Sequence, residues 1–237
     1  MAYDSILGKT LFDDQAVEYN HWYQTPEGRC ADALEKGLFL KLIQPKFGQS
    51  VLDIGCGTGH NLAFFKELGL KAAGIDTSKP MLHIAAKKLG TDVELHLGCA
   101  EELPFNNNSF DIVTLITVLE FVTAPTKVLK EAARVARAQI YLGILNKSSL
   151  LAIIRRIKGR FRDSIYNRAK FYSIWGIEGL VKRALGNVPL DWRSTLFFPL
   201  GWHKYTHRLD KVLSLTNNPF GAFLGVKLGI EEISELQ

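Results

Sequence analysis

Chemistry is first suggested by a strand-like run that ends in an acid and is followed by a turn dense in glycine. Asp53 lies at the end of the apolar run, and Gly55, Gly57 and Gly59 occupy alternate positions after it. Glycine adopts positive φ freely and has no Cβ, so a ligand can lie directly against the backbone of such a turn. Residues 61–68 then repeat apolar side chains at helical spacing. Because a helix N-terminus would point at the bound group, the pattern predicts a nucleotide-like ligand.

The spacing of these glycines distinguishes the turn from two other nucleotide-binding loops. The dinucleotide fingerprint is G-x-G-x-x-G. Here the spacing is G-x-G-x-G, and His60 stands where the third glycine of that fingerprint would lie. A phosphate-binding P-loop ends in Gly-Lys-Ser/Thr, and this turn has no such ending. The sequence therefore disfavours a pyrophosphate ligand.

The D-x-G-x-G-x-G pattern resembles the cofactor loop of the class I S-adenosylmethionine-dependent methyltransferases, and the resemblance extends over residues 50–146. The second predicted strand, 71–76, again ends in an acid. The resemblance assigns Asp76 to the two ribose hydroxyls, a task that a strand-end carboxylate also performs in dinucleotide folds. It also places Met81 beside the adenine and directs Asp53 to the methionine amino group, directly or through water.

The segment after the third predicted strand, 93–97, departs from the family at one position. Residues 98–105 read Gly-Cys-Ala-Glu-Glu-Leu-Pro-Phe and look like the family's G-D-A-x-x-L-P-F segment, whose acid and following amide bind adenine. Cys99 replaces that acid. The resemblance therefore leaves the adenine ring to the Ala100 amide, with the Glu101 carboxylate as a substitute partner for the amino group.

The resemblance implies a doubly wound, Rossmann-like α/β sheet of seven strands, the last one antiparallel, with helices on both faces. The fourth predicted strand is similar to the family's F-D-x-V strand, and Ile116 at its end would lie beside the sulfonium. The last two strands would form a hairpin beside the fifth. The elements predicted beyond the third strand are a strand at 110–116, a helix at 125–136, and strands at 139–145, 192–199 and 220–228.

The implied cofactor is S-adenosyl-L-methionine, and no metal is expected. The chain most resembles the ubiquinone- and menaquinone-biosynthesis-like group of the family, which acts mainly on small molecules. The residues expected to bind the cofactor are Tyr19, Trp22, Asp53, Gly55, Cys56, Gly57, Gly59, Asp76, Thr77, Met81, Cys99, Ala100, Glu101 and Ile116.

One methyltransferase domain is expected to span the chain, with an N-terminal helical lid at 1–48, a cofactor-binding core at 49–146, an acceptor-side insertion at 147–190 and C-terminal strands at 191–237. The first part carries an aromatic cluster that includes Tyr19 and Trp22. Aromatic faces attract cations, so either ring could cover the sulfonium as part of a lid. The cluster could equally pack an N-terminal helix onto the sheet.

Positive charge concentrates after the fifth predicted strand. Residues 147–211 hold fourteen Lys and Arg side chains against four acids, a net +10 in a chain whose total is +5. Such an asymmetry bears on binding partners rather than on fold. Arg155 and Arg156 are candidates for binding an acidic acceptor or an anionic membrane surface, and a solvated helix face is the alternative. The oligomeric state is left open.

Three side chains are candidates for taking a proton from the acceptor. Glu120 follows the fourth strand, where many relatives carry His, and would face the acceptor or be an exposed helix acid. His203 and His207 follow the sixth predicted strand, and a neutral imidazole can deprotonate a hydroxyl. A base is needed only if the acceptor must lose a proton, because alignment alone accelerates transfer from an activated donor.

The predicted reaction is methyl transfer to an O, N or C atom of a small molecule. Two alternatives remain open: a non-catalytic subunit that binds S-adenosylmethionine or supports a partner, and a tRNA-binding methyltransferase, which the basic region suggests. The Asn/Asp-Pro-Pro-aromatic motif used on nucleobase amines is absent after the fourth strand, so nucleic acid is disfavoured as a partner. Three widely spaced cysteines, no signal-peptide pattern and no uncharged span of membrane length favour a cytoplasmic protein.

Overall fold

A computed structural model of the protein describes residues 10–149 and 168–230. The seven strands form one sheet in the order β3-β2-β1-β4-β5-β7-β6, and β7 runs antiparallel to both of its neighbours. This arrangement confirms the predicted fold class. The strands are β1 (Ser50–Ile54), β2 (Lys71–Asp76), β3 (Glu94–Leu97), β4 (Phe110–Ile116), β5 (Ala136–Leu145), β6 (Leu190–Thr195) and β7 (Phe223–Gly229).

Side-chain caps and prolines start several of the helices between these strands. Thr25 accepts a hydrogen bond from the Gly28 amide, and Ser78 and Ser173 make the same contact three residues ahead. The helices are α1 (Ala16–Trp22), α2 (Pro26–Ile43), α3 (His60–Glu67), α4 (Lys79–Leu89), α5 (Pro125–Val135), α6 (Ile174–Leu185) and α7 (His203–Leu213). Within residues 10–149 and 168–230, no helix is long and apolar enough to cross a bilayer.

The sheet is covered on both faces, as a mostly parallel sheet requires. Successive residues of β1 point to opposite faces: Leu52 and Ile54 pack with α5 and α6, whereas Val51 packs with α2, α3 and α4. All three side chains are buried, and each such burial stabilises the fold by about 1.5–3 kcal/mol relative to exposure. Two apolar layers therefore hold the sheet and leave its carboxyl edge as the place for a site.

The fifth and sixth strands differ from their predicted limits for local reasons. β5 begins at Ala136 rather than at 139, because Ala136 is already extended where α5 ends. β6 ends at Thr195 rather than at 199. There Leu196 turns away with φ 64° and donates its amide to Asp210 instead of to a strand.

The seventh strand begins at Phe223 rather than at 220. The residues before it are held by the Asn146 side-chain amide, which donates to the carbonyls of Pro219 and Gly221 at 2.7 Å each. These carbonyls are thereby committed to a turn and cannot join the sheet.

Strand order places a switch point at the centre of the sheet. β1 pairs with β2 on one side and with β4 on the other. The chain therefore moves outward from β1 through β2 to β3 and then crosses back to the other side of β1 as β4. Ligands of open α/β sheets bind beyond the carboxyl ends of strands at such a point. The fold therefore predicts a site above Ile54 and the glycine turn that follows it.

Candidate functional site

A cavity of about 310 Å³ lies at this switch point, above the carboxyl ends of β1, β2 and β4. Its size falls at the lower limit of typical small-molecule sites. The lining residues come from the N-terminal segment, the glycine turn and the loops after β2, β3 and β4. They are Thr10, Leu11, Phe12, Tyr19, Ile54, Gly55, Gly57, Ile75, Asp76, Thr77, Met81, Gly98, Ala100, Glu101, Ile116, Thr117, Val118, Phe121, Val122 and Thr123.

The middle glycine of the turn lies against the cavity. Gly57 has φ 52°, and a Cβ built on it would lie 3.8 Å from the Tyr19 ring and 3.9 Å from the Met81 sulfur, both of which line the cavity. A larger side chain would occupy the space between these walls. The backbone of Gly57 is therefore a cradle that stays open only without a side chain.

The two other glycines of the turn have different tasks. Gly55 also lines the cavity, and a Cβ on it would come within 2.5 Å of Val118. Gly59 was expected to bind the cofactor but does not line the cavity. Its Cβ would lie 2.8 Å from Leu89 and 3.0 Å from Ala85, so Gly59 lets α3 pack closely on α4.

Asp76 joins the glycine turn to the start of α4. Its Oδ2 accepts a hydrogen bond from the Gly57 amide at 2.8 Å, and its Oδ1 accepts one from the Ser78 amide at 2.8 Å. Burial raises the pKa of this carboxyl, and the backbone amide bonds act in the opposite direction. The carboxylate lines the cavity, so two amides hold in place the side chain predicted to bind the ribose.

Asp53 lies one layer deeper than the sequence suggested. It is buried and does not line the cavity, and its Oδ1 accepts a hydrogen bond from the Thr114 hydroxyl at 2.6 Å. Its Oδ2 has no hydrogen-bond partner in the described structure. Burial raises the pKa of Asp53 to about 7; the Thr114 bond opposes this rise and the charge of Asp76 adds to it. The site therefore holds a carboxyl poised between its two protonation states near neutral pH.

Three further residues expected at the cofactor do not line the cavity. Cys56 is buried beneath the turn, where its sulfur would lie 2.8 Å from a Cβ on Gly74. Cys99 stands between Gly98 and Ala100, which both line the cavity, without lining it itself. Trp22 is 38% exposed. The positions of these three side chains thus do not support the prediction that they contact the cofactor. Five other predicted residues do line the cavity: Thr77, Met81, Ala100, Glu101 and Ile116.

The aromatic cluster at the N-terminus is both a wall of the cavity and a packing unit. Tyr19 lines the cavity, and its hydroxyl lies 3.0 Å from the Tyr23 hydroxyl. The Tyr23 ring stacks on His60, with centroids 3.9 Å apart and an interplanar angle of 16°. His60 Nε2 lies 2.8 Å from Asp32 Oδ1 on α2. Tyr23 and His60 therefore tie Tyr19 to the first residue of α3, a role that the sequence analysis did not assign to them.

The loop after β4 supplies the other side of the cavity. Thr117 has φ 57°, which is costly for a β-branched residue, and its amide donates to the Gly143 carbonyl of β5 at 2.7 Å. Phe121 packs edge to face on Phe12, with ring centroids 4.9 Å apart at 81°. Thr117, Phe121 and residues 10–12 were not among the predicted site residues, although residues 10–12 fall within the predicted lid at 1–48 and the end of the fourth strand was expected to lie beside the sulfonium.

Of the candidate bases and basic substrate ligands, only Glu120 has a described side chain, and it does not line the cavity. Glu120 lies in a turn rather than on a helix, is buried rather than exposed, and accepts the Leu145 amide at 2.6 Å. It does not line the cavity, and burial raises its pKa to about 7. His203 and His207 belong to α7, but the placement of their side chains is outside the description. Arg155 and Arg156, the predicted ligands of an acidic acceptor or an anionic membrane surface, lie outside the described residues.

The described walls of the cavity are apolar and acidic. Asp76 and Glu101 are the charged residues among them, and no Lys, Arg or His contributes. In the part of the chain that the structure describes, no group of three His, Cys, Asp or Glu is placed to hold a metal ion. Aromatic rings and carboxylates together favour a cation. With the open backbone at Gly57, these walls fit the adenosyl-sulfonium ligand predicted from the sequence.

Comparisons with known proteins agree with this geometry. Residues 52–142 match the family described as a methyltransferase domain. The chain is 31% identical over 218 residues to an uncharacterized protein of Methanocaldococcus jannaschii, a match that covers 91% of this chain and 97% of that protein. It is also similar to a crystal structure titled as a SAM-dependent methyltransferase, possible histamine N-methyltransferase, from Thermotoga maritima, with a TM-score of 0.72 and 25% identity over 92% of this chain and 97% of the other.

A second relative is matched over a shorter stretch. The chain is 37% identical over 118 residues to the demethylmenaquinone methyltransferase of Lactobacillus johnsonii, and the match covers 46% of this chain and 48% of that protein. The chain thus spans about half the length of this relative.

Proposed function

The chain belongs to the class I S-adenosylmethionine-dependent methyltransferases, and we propose that its acceptor is a small, largely apolar molecule that is methylated on an O, N or C atom. One observation carries the proposal: the β4 end of the cavity is walled by apolar and aromatic side chains. Leu11, Phe12, Phe121 and Val122 are among them. Such a wall recognises an acceptor by shape and burial rather than by charge.

The residues of the β1 and β2 ends bind and orient the cofactor. Asp76 would accept the ribose hydroxyls, the open backbone of Gly57 would admit the adenosyl group, and Tyr19 would cover the charged end with its ring. When bound, S-adenosylmethionine supplies a methyl group that is already activated by the positive charge on its sulfur. The chain's own task is then to align an acceptor with that group and to keep water away.

The charge of the cavity walls also bears on the charge of the acceptor. Since Asp76 and Glu101 are the charged residues among the described walls, an anionic acceptor would meet repulsion without a compensating cation. A neutral acceptor or an amine would not. A demethylmenaquinone methyltransferase is among the relatives, and a quinol, the electron-rich reduced form of a quinone, fits both an apolar wall and attack on an activated methyl group.

The same walls bear on proton transfer. The polar side chains near the β4 end are the hydroxyls of Thr10, Thr117 and Thr123, which are poor bases near neutral pH. Glu120, the carboxyl closest in sequence, is turned away toward the Leu145 amide. These positions favour an acceptor that is nucleophilic without help from a base, so alignment carries the catalysis.

The test is turnover of S-adenosylmethionine with a panel of acceptors. Purified protein is incubated with neutral quinols kept reduced, phenols, amines, carboxylates and tRNA, and release of S-adenosylhomocysteine is measured. We expect turnover with neutral or amine acceptors, and none with the Gly57→Val variant, which serves as the control for contaminating enzymes. Turnover confined to carboxylates or to tRNA would refute the proposal. The comparisons do not favour the non-catalytic or the tRNA-binding alternative.

A further inference from the structure

Helix α7 is attached to the sheet by a polar side chain. Asp210, the one acid in the sequence of this helix, is buried. Its carboxylate accepts hydrogen bonds from the amides of Leu196 at 2.9 Å and Phe197 at 3.2 Å, and from the Thr195 hydroxyl at 3.2 Å. The side of α7 that faces the sheet thus carries the Asp210 carboxylate, whereas an amphipathic helix usually packs its apolar side chains against the core.

The apolar side chains of the same region face outward. Leu209 and Val212 on the helix, with Trp202 before it and Leu215 after it, have exposed fractions between 55% and 63%. Their spacing of seven, three and three residues places them along one side of a helical path. We call these four residues the α7 face. Contiguous exposed apolar side chains of this kind mark an interaction surface.

The charges beside the α7 face are basic. Arg208 and Lys211 are exposed on the helix. Exposed Lys41 of α2 donates to the Ser214 carbonyl at 3.2 Å, just beyond the helix end. With Asp210 turned inward, the described charged side chains on the outside of the helix are cations. Tryptophan and leucine on one side and lysine and arginine around them are the features of helices that lie in the surface of an anionic bilayer.

The position of α7 relates this surface to the cavity. Thr195 at the end of β6 and Leu145 at the end of β5 both pair with Phe223, so β5 and β6 end at the same edge of the sheet. The cavity opens at that edge, beyond β1, β2 and β4. Asp210 bonds to the residues at the end of β6, so its part of α7 lies beside this edge of the sheet, and the rest of the helix extends toward Lys41 near the end of α2.

We propose that the α7 face docks the protein on the surface of an anionic lipid bilayer. The charge pattern favours this occupant because lipid headgroups supply the complementary negative charge. A second copy of the chain would bring the same cations together. Four side chains also cover far less than the ~800 Å² per partner that a stable protein interface buries.

The experiment is co-sedimentation of the full chain with lipid vesicles. One set of vesicles contains phosphatidylcholine alone, and the other contains phosphatidylcholine with phosphatidylglycerol. We expect the wild-type protein to bind the phosphatidylglycerol vesicles at least tenfold more tightly. The double variant Leu209→Glu with Val212→Glu should lose at least tenfold, because it removes apolar contact and adds repelled charge.

A matched control uses an exposed aromatic residue on the opposite edge. Phe47 is 89% exposed and precedes β1, so Phe47→Glu should bind vesicles as the wild type does. A second pair, Arg208→Gln with Lys211→Gln, keeps the apolar side chains and should weaken binding roughly tenfold while reducing its salt dependence. If the Leu209 and Val212 variant no longer binds S-adenosylmethionine, it is misfolded. The Arg208 and Lys211 variant then tests the proposal in its place.

Three results would overturn the proposal. The first is a failure of the wild-type protein to bind phosphatidylglycerol vesicles, and the second is a loss of binding in Phe47→Glu as large as that in the Leu209 and Val212 variant. The third is a wild-type dimer in sedimentation velocity that the same double variant makes monomeric, which would assign the α7 face to a second copy. None of these measurements depends on the identity of the methyl acceptor, so failure here leaves the proposed function standing.

Discussion

The half of the cavity at the ends of β1 and β2 is joined by hydrogen bonds to a carboxylate, whereas the two segments of the other half, residues 10–12 and 116–123, meet by packing of aromatic rings. In the first half, Asp76 fixes the Gly57 amide and the start of α4. In the second, Phe121 rests on Phe12 through an edge-to-face ring contact. The difference suggests a division of labour: we expect the constrained backbone to bind the cofactor, whose structure is fixed, and the packed side chains to bind the acceptor.

The strongest test of the hydrogen-bonded half is Gly57→Val. A valine at φ 52° would strain the backbone and place its methyl groups between Tyr19 and Met81. We expect binding of S-adenosylmethionine to become undetectable by calorimetry. Gly186 at the end of α6 is the matched control, since it has φ 79° and nothing lies within 4 Å of its Cβ position. Equal losses in Gly57→Val and Gly186→Val would mean that strain, and not the cradle, explains the effect.

The next test is Asp76→Asn. The variant keeps one carbonyl oxygen for an amide but loses the charge that strengthens hydrogen bonds to two ribose hydroxyls. Because hydrogen bonds to charged groups contribute about 1.5–3 kcal/mol, S-adenosylmethionine affinity should fall at least tenfold. Calorimetry at constant pH measures the change, and thermal unfolding without ligand reports how much the turn itself is weakened. Unchanged affinity would remove Asp76 from the ribose role.

The packed half is tested by Phe121→Ala. Truncation removes the ring that rests on Phe12, and a buried Phe side chain contributes about 1.5–3 kcal/mol. With an acceptor found in the turnover panel, KM for that acceptor should rise about tenfold. Affinity for S-adenosylmethionine should stay within twofold of wild type. If both ligands lose affinity equally, the division of the cavity into two halves is wrong.

Much of the hydrogen-bonded half could be predicted from the sequence, since its backbone demands leave visible traces. Glycine at positive φ and an acid at a strand end are required by geometry, so Gly55, Gly57 and Asp76 were identified as residues of the site and do line the cavity. The antiparallel pair of β6 and β7 beside β5 was likewise predicted from the family resemblance and is confirmed. The depth of each side chain below the cavity could not be predicted from the sequence. The sequence gives no sign that Asp53 lies beneath the turn.

The packed half left no comparable trace. Leu11 and Phe12 are apolar residues of the kind found in any core segment. Their place at the site follows only from the fold, which brings Phe12 against Phe121. Thr117 adopts φ 57° because its amide bonds to Gly143 of a neighbouring strand, a tertiary contact that overrides its local preference. Glu120 was misplaced for the same reason, because its partner is the Leu145 amide twenty-five residues away.

The smallest expected effect concerns two buried carboxyls on different sides of this division, Asp53 and Glu120. Burial raises the pKa of each to about 7. A carboxyl whose pKa is higher in the folded protein than in the unfolded chain binds its proton more tightly in the folded state. It therefore stabilises the folded protein at low pH. That contribution is complete below the unfolded pKa and is lost as pH rises through about 7. Both Asp53→Asn and Glu120→Gln should therefore reduce the fall in thermal stability between pH 5 and pH 8.

Ligand binding should separate the two carboxyls. A cation in the cavity favours ionised Asp53, so affinity for S-adenosylmethionine should rise several-fold from pH 6 to pH 8, and Asp53→Asn should flatten that rise. Glu120 does not line the cavity, so Glu120→Gln should leave the pH profile of affinity unchanged. Calorimetry at each pH measures both variants. If affinity for S-adenosylmethionine still rises with pH in Asp53→Asn but no longer does so in Glu120→Gln, the assignment is reversed. The buried carboxyl that responds to the cofactor would then be Glu120, on the packed side of the cavity.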